Sequence, residues 1–595
     1  MTMKNFFNKL MLILLCFSIG AFSKVAENSW TFLIYMNGSN LESRNQFATK
    51  NINSMLSAKP ENENINVVIL TGGTKEWHSQ DISQDSITYS VINNKGFQKL
   101  RSLENTSIAD SVVLADFIAY GKNNFPAERY ALIFWNHGTG AATGFGFDEL
   151  FDKKTMSLAE LRSGIKNGIG KSDKNFSFIG FDACLMASVE LAISLSPFGD
   201  YLIASQELEP GNGWDYYTLL KTLNKQPNIG TDSLCIEIID SYIDFYTEKD
   251  KSLQRLTLSA INLRKISDLK HSINQISQKI LSEIALNSLI EARAKSNVFG
   301  QPVFSAYSYD MIDILSFFEG FSKYFPQEWQ KLKYALGNAV LHNRVLGLDE
   351  TKASGLSVYF PYDNKKTMVN LGEYYRLENM ENYMGLVRSF IDSISTKKPE
   401  IIISDSTNVL TAEILLKTRI IYSMLFRKED DGRLALLGYD SDGIKIDGEM
   451  IWNNEWITIG GDFVCVYERL ANIDILHYAV PALVNNEKVF LIVIYDDANP
   501  GGAIYGFRKE MENNIPSRGY ERIKGGDNIA FLYPIFDKNT MQESGEYAKG
   551  PTFTAITKGQ IKVNIAEVPQ KKYVQIFCLV DIYGNKHYIG KEKLF

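Results

Sequence analysis

The sequence predicts an α/β protein: a mostly parallel sheet flanked by helices, a helical extension, and a C-terminal antiparallel β domain. Three observations carry that prediction. From Trp30 to about Ala260, short apolar runs of strand type alternate with helical segments. From Leu263 to Ser395 the chain reads as mainly helical. Beyond about residue 400 the hydrophobic period changes to two, the signature of half-buried strands. At 595 residues the chain exceeds a single core. Its divisions fall at 24–262, 263–398 and 399–595, behind a leader of residues 1–23.

Taken in order, "WTFLIYM" (Trp30–Met36) is the first strand, followed by the helical stretch "LESRNQFATKNINSML". "INVVILTGG" (Ile65–Gly73) is the second strand, and "SITYSVI" (Ser86–Ile92) begins a hairpin. A helix over about Ile108–Tyr120 leads to "YALIFWNHG" (Tyr130–Gly138), a third buried strand. Helix "SLAELRSGIKNGI", strand "FSFIGF", helix "LMASVELAISL" and strand "YLIASQE" complete the alternation. Apolar runs without polar alternation fit strands covered by helices on both faces. "LTLSAINL" and "GLSVYFPY" (Gly355–Tyr362) are expected to add to the sheet, and "STKKPE" reads as a linker. In the last third, "RLALLGYDSDGIKIDGEMIW", "VFLIVIYDDANPGGAIYGF" and "KYVQIFCLVDIYGNKHYIG" alternate between turn signals, as in a sandwich or barrel.

Bulk properties exclude several classes. The composition, 45% hydrophobic and 22% charged, is that of a globular chain, not a disordered one. A net charge of −7 with no block of Lys and Arg offers nucleic acid no footprint. Lys4 and Lys9, the apolar Leu10–Ile19 and the small residues of Ala21-Phe22-Ser23 read as an export signal cleaved after Ser23. A lipoprotein site at Cys16 is disfavoured by the bulky Leu15 before it. No later stretch has the length of a transmembrane helix. Cys184, Cys235, Cys465 and Cys578 are too few for a disulfide framework, and the last three sit inside apolar runs.

Cys184 differs, because it lies where an apolar strand gives way to helix formers. Of the six histidines, His137 alone occupies the matching place, directly after "ALIFW". Two neighbouring strands ending on one rim would bring imidazole and thiol together, at the carboxyl ends where α/β sheets build their sites. The thiolate would attack a carbonyl, and the imidazole would pass its proton to the leaving amine. Backbone N–H groups of Gly138 and Cys184 would hold the oxyanion. A helix starting at Cys184 is expected to depress the thiol pKa. Asp182, two residues before Cys184, shares its face of the strand and is placed to receive a cationic side chain. Glu207, Glu209 and Asp215, with Trp214 in "ASQELEPGNGWDYYTLL", read either as a surface turn with a helix N-cap at Asp215 or, beside the His/Cys pair, as a second acidic wall of the pocket. No H-E-x-x-H or G-x-S-x-G motif supports zinc or serine chemistry.

Taken together, "WTFLIYMNGSNLE", "ALIFWNHGTG", "IGFDACLMASVELA", "ASQELEPGNGWDY" and "GLSVYFPY" resemble the clostripain family of cysteine peptidases, relatives of caspases, gingipains and legumain. The resemblance runs from Trp30 to Ser395 and implies a caspase-like sheet. It implies endopeptidase activity after Arg or Lys, with His137 and Cys184 as the dyad. It also makes Asp182 and Asp215 the receivers of the substrate's basic side chain. Self-cleavage between the dyad residues is implied as well, in the segment Gly144–Ser157, where Lys153 and Lys154 offer a basic site. No cofactor is required by this chemistry; calcium is left open, since the family varies and the chain lacks an EF-hand pattern. Expected partners are protein or peptide substrates with a basic residue before the scissile bond. Two alternatives remain: a binding or adhesion protein on an inactive peptidase core, and a peptidase selecting Asn.

Overall fold

The computed structural model describes residues 26–396 and 409–590. Within these, residues 105, 142–143, 171–174, 250–254, 285, 301–308, 348–349, 362–379, 441–448, 451–453, 469–475, 497, 510–517, 519, 556–560 and 570–571 are left out. The leader, Cys16 and most of the "STKKPE" linker lie outside the described residues.

A nine-stranded sheet organises the first part of the chain. Its strands are β1 (Trp30–Asn37), β2 (Ile65–Gly72), β3 (Ser86–Asn93), β4 (Gly96–Glu104), β5 (Arg129–Trp135), β8 (Phe176–Asp182), β9 (Gly199–Ala204), β10 (Leu256–Asn262) and β11 (Val340–Leu346). A two-stranded hairpin, β6 (Phe145–Asp148) and β7 (Lys154–Met156), stands apart from it. The spatial order is β11-β10-β9-β8-β5-β1-β2-β3-β4. The five central strands β9, β8, β5, β1 and β2 run parallel, and antiparallel strands close both edges. The hairpin expected at Ser86–Ile92 is therefore present, and "LTLSAINL" does join the sheet. "GLSVYFPY" does not: Ser357–Tyr359 pairs with Met311–Asp313 in a separate three-stranded sheet. The strand that joins instead is β11, whose mixed sequence VLHNRVL carries no clear period.

Helices cover both faces because strand residues alternate in direction. Leu33, Tyr35, Val68, Leu70, Leu132 and Phe134 face one layer, which includes α3 (Ser111–Asn124), α4 (Leu158–Ile169) and α8 (Ile266–Glu283). Phe32, Ile34, Val67, Ile69 and Ile133 face the other, with α2 (Phe47–Ser57), α6 (Tyr216–Lys225) and α7 (Thr231–Asp244). A short α1 (Ser39–Asn45) follows β1, and α5 (Val189–Leu195) follows β8. Helix starts are written locally: Ser157 and Glu160 form a reciprocal capping box on α4, and Asp110 caps α3.

The C-terminal part has its own apolar cluster, built around a ten-stranded sheet that is antiparallel except at Gly438–Tyr439 against Val466–Tyr467. Among the described residues no helix is long and apolar enough to cross a membrane.

Candidate active site

Strand pairing sets the geometry of the rim. β5 and β8 are parallel neighbours in a register that places Trp135 opposite Asp182. Each strand stops there, and His137 and Cys184 both lie two residues further on. Gly138 sits hard against the Cys184 turn: a Cβ at Gly138 would come to 2.2 Å from the Cys184 carbonyl oxygen and 2.8 Å from Met186. Glycine is thus demanded by close packing, besides any role of its N–H.

His137 is buried and stacked on Phe147 at 5.3 Å between ring centres, which fixes the ring plane. Its Nε2 lies 2.7 Å from Oδ1 of Asn40. With Nε2–H donating to that amide oxygen, Nδ1 is the basic nitrogen. Asn136 holds the same turn by donating from Nδ2 to the carbonyl of Asn37 and accepting the His137 N–H.

The expected helix at Cys184 is not there. Residues 183–187 form an irregular turn, Leu185 has φ +64°, and α5 begins only at Val189 behind the Ser188 cap. Tertiary contacts hold this turn out of helix: Leu185 N–H donates to the Glu207 carbonyl, and Ala187 N–H to that of Ser205. Cys184 therefore gains no helix-terminus field. Its thiol is fully buried and pushed up to about 12 by desolvation, against which the charge of Arg518 and an N–H bond from Glu209 pull downward. The Glu209 N–H lies 3.2 Å from the sulfur.

Asp182, two residues before Cys184, is fully buried. Oδ2 accepts the Trp214 N–H and the Tyr216 hydroxyl, both at 3.0 Å. Oδ1 accepts from Nη2 of Arg518 at 2.6 Å. Arg518 comes from the C-terminal domain and is fully buried. Its Nη2 also reaches Oε2 of Glu209 at 3.2 Å and the Pro210 carbonyl at 3.1 Å. Nη1 donates to the carbonyls of Asn136 (2.7 Å) and Asp182 (2.8 Å), and Nε to that of Glu209 (3.2 Å). Burial opposes the guanidinium's charge, yet Asp182, Cys184 and Glu209 hold its pKa above the ordinary value. Burial and the neighbouring Asp182 push the Glu209 carboxyl well up, with Arg518 acting against them.

The acidic wall divides into three jobs. Glu209 faces the guanidinium. Glu207 instead pairs with Arg255 at 2.9 Å and accepts the Gly300 N–H at 2.8 Å, bracing the loop. Asp215 caps α6, accepting the Thr218 N–H at 3.0 Å and its hydroxyl at 2.7 Å. The contacts described for Arg518 reach Asp182 and Glu209 and not Asp215. Lys153 closes the β6–β7 turn and Lys154 opens β7, with Asp152 and Lys153 in left-handed conformations. Lys154 donates its N–H to Phe151 and approaches Asp110 at 3.7 Å. Among the described residues no cluster of three or more His, Cys, Asp or Glu could hold a metal.

Sequence reasoning missed Asn40 and Arg518 and left Glu209 undistinguished from its neighbours. Asn40 lies inside the quoted "WTFLIYMNGSNLE", but nothing in spacing ties it to His137. Arg518 sits in the polar stretch "NNIPSRGY" with no local signal at all.

With this geometry in hand, the chain can be compared with known proteins. The sequence profile of the clostripain family matches residues 34–422, more than half of the chain. Clostripain of Hathewaya histolytica is 27% identical over 195 residues, which span 28% of this chain and 37% of that relative. A secreted C11 cysteine protease from Bacteroides thetaiotaomicron, solved with an irreversible peptide inhibitor, aligns at 18% identity and TM-score 0.46, covering 60% of this chain and 98% of that one. An inactive zymogen C11 protease from Parabacteroides distasonis aligns at 19% identity and TM-score 0.45, covering 60% and 97%. On the extent of the profile match, this chain belongs to the clostripain family, the C11 peptidases.

Proposed function

We propose that the chain is an exported cysteine endopeptidase that cleaves after arginine. The observation that carries this reading is the guanidinium seated beside Cys184. All three nitrogens of Arg518 are used, on two carboxylates and on carbonyls of Asn136, Asp182, Glu209 and Pro210. A planar fork meets that array; a lysine ammonium would leave carbonyls without donors, so Arg is preferred over Lys. Asp182 and Glu209 receive the side chain, and Asp215 supports the loop by capping α6.

In the reaction His137 Nδ1 takes the Cys184 proton and the sulfur attacks the carbonyl carbon of the arginine. The oxyanion is held by N–H groups of Gly138 and Cys184. Collapse breaks the C–N bond, with His137 returning the proton to the departing amine. Water then hydrolyses the thioester with the same imidazole as base. The export signal at residues 1–23 supports action outside the cytoplasm. Self-processing at Lys153 or Lys154 would require the β6–β7 turn to open, since a scissile segment must lie extended.

The test compares the full chain with Cys184→Ala on peptide amides bearing Arg, Lys, Asn or Asp before the bond. Thiol-dependent cleavage of the Arg amide, at least about tenfold faster than Lys, is expected. Activity on Asn alone would overturn the pocket, and none on any amide, with Arg518 intact or replaced by Gln, would sink the peptidase. Mass analysis of both chains detects cleavage after Lys153 or Lys154; a cut also present in Cys184→Ala would exclude self-processing as its cause.

A further inference from the structure

The residue filling the pocket belongs to the chain itself. Arg518 follows the C-terminal strand Asn499–Lys509, and three residues later the chain is fixed to that strand: Phe507 and Glu521 exchange backbone hydrogen bonds at 2.8 and 2.7 Å. Gly506 permits the approach, since a Cβ there would meet the Glu521 carbonyl oxygen at 2.4 Å. The β domain thus presents Arg518 from an anchored base, and its side chain runs to the rim where β5 and β8 end.

Two features distinguish this arginine from a brace between domains. Its acceptors include the carbonyls of Asn136 and Asp182, the residues that lead into His137 and Cys184. Its charge is close enough to Cys184 to pull the thiol pKa downward while burial raises it. A brace has no need to seek out the nucleophile.

We propose that Arg518 is a built-in ligand of the guanidinium pocket, and that the C-terminal β domain keeps the full-length chain latent by occupying the site of the substrate arginine. This rests on the proposed arginine specificity. The ligand class is an arginine side chain of this same chain, and a soluble amidine competes for its place. A tethered ligand acts at millimolar effective concentration, so weak external arginine ligands are excluded until the domain shifts or is severed.

The experiment uses the full chain on the Cys184→Ala background, where self-cleavage cannot intervene, with benzamidine as the probe in calorimetry. Arg518→Gln is expected to bind benzamidine at least tenfold more tightly than the parent. With Cys184 restored, Arg518→Gln should hydrolyse the Arg amide at least tenfold faster at time zero than uncut wild type. Equal benzamidine affinity in the two chains, or equal initial rates with wild type shown intact by mass, would make Arg518 a brace and overturn the proposal. Binding gained without hydrolysis would uphold the ligand and sink the peptidase reading; hydrolysis at equal rates would do the reverse. If Arg518→Gln does not fold, the unmutated chain answers: benzamidine at about 50 mM, above the tethered concentration, should speed iodoacetamide labelling of Cys184. An unchanged labelling rate would overturn the proposal there too.

Discussion

Among the described residues two arginines, Arg293 and Arg518, are fully buried against carboxylates, and they differ in address. Arg293, on the helix Leu286–Lys295, gives Nε to the Phe360 carbonyl at 2.8 Å and Nη2 to Asp310 at 3.1 Å. Phe360 belongs to the same apolar cluster as Leu289, Ile290 and Ala292 of that helix, and Asp310 follows Tyr309 of that cluster. Arg518 reaches partners 308 to 382 residues away, at the one rim that holds a thiol and an imidazole. Burial and ion pairing are alike in the two. What separates a structural cross-link from a ligand is whether the partners are chemistry-bearing strand ends or the helix's own neighbours.

The largest expected effect comes from removing the shared carboxylate. Asp182→Asn should lower kcat/KM for Arg amides by about 10³ or more, because the substrate's charge loses its closest partner. The same change leaves Arg518 buried and undercompensated and should cost about 3–5 kcal/mol in thermal or denaturant melts of the intact chain. Full activity of Asp182→Asn on Arg amides would break the comparison at its root.

Next is the thiol. In the closed chain Cys184 is pushed up to about 12 from an ordinary 9.0, so at pH 8 its thiolate fraction is about 10³-fold lower than that of an unperturbed thiol. Iodoacetamide should therefore label it no faster than the buried Cys578, pushed up to about 11. Because the closed-state pKa is raised, closure is favoured while the thiol stays protonated, and that contribution is lost as pH rises from about 9 through 12. Labelling should accelerate across that window more steeply than thiolate formation alone predicts.

The two arginines can then be exchanged for a neutral residue of similar length. Arg293→Met should cost about 3–5 kcal/mol of stability with no gain in initial rate. Arg518→Met should raise the rate at least tenfold. A rate gain in both would mean that general loosening activates the chain. Asn40→Ala should lower kcat about tenfold with KM unchanged and shift the pH profile, since the imidazole tautomer loses its anchor. Smallest is Tyr216→Phe, which removes one hydroxyl from Asp182 and should cost about 0.5–1.5 kcal/mol with a few-fold rise in KM.

How much of this could be read from the chain follows the range of the forces involved. The runs "ALIFW" and "FSFIGF" are continuous because both faces of β5 and β8 are covered, and that local signature was enough to set His137 and Cys184 on one rim. The turn at residues 183–187 was unreadable: "LMASVELA" favours helix, and bonds to Ser205 and Glu207, some 20 residues on, and to the distant Ser357 hold it out of one. An N-cap at Asp215 is legible in the sequence, whereas Glu207 and Glu209 carry equivalent charges two positions apart, so their separate jobs appear only once Arg255 and Arg518 are in place. β11 escaped detection because its half-buried edge position imposes no strict alternation. Arg518 lay beyond any local rule.

The long reach of Arg518 also has a consequence in time. At about 5–20 residues per second, the 336 residues from Asp182 to Arg518 take roughly 17–67 s to synthesise. Throughout that interval the rim residues exist and their occupant does not. Latency is thus a property of the finished polypeptide, and a ribosome that stalls before residue 518 releases a chain with the same nucleophile and no internal check on it.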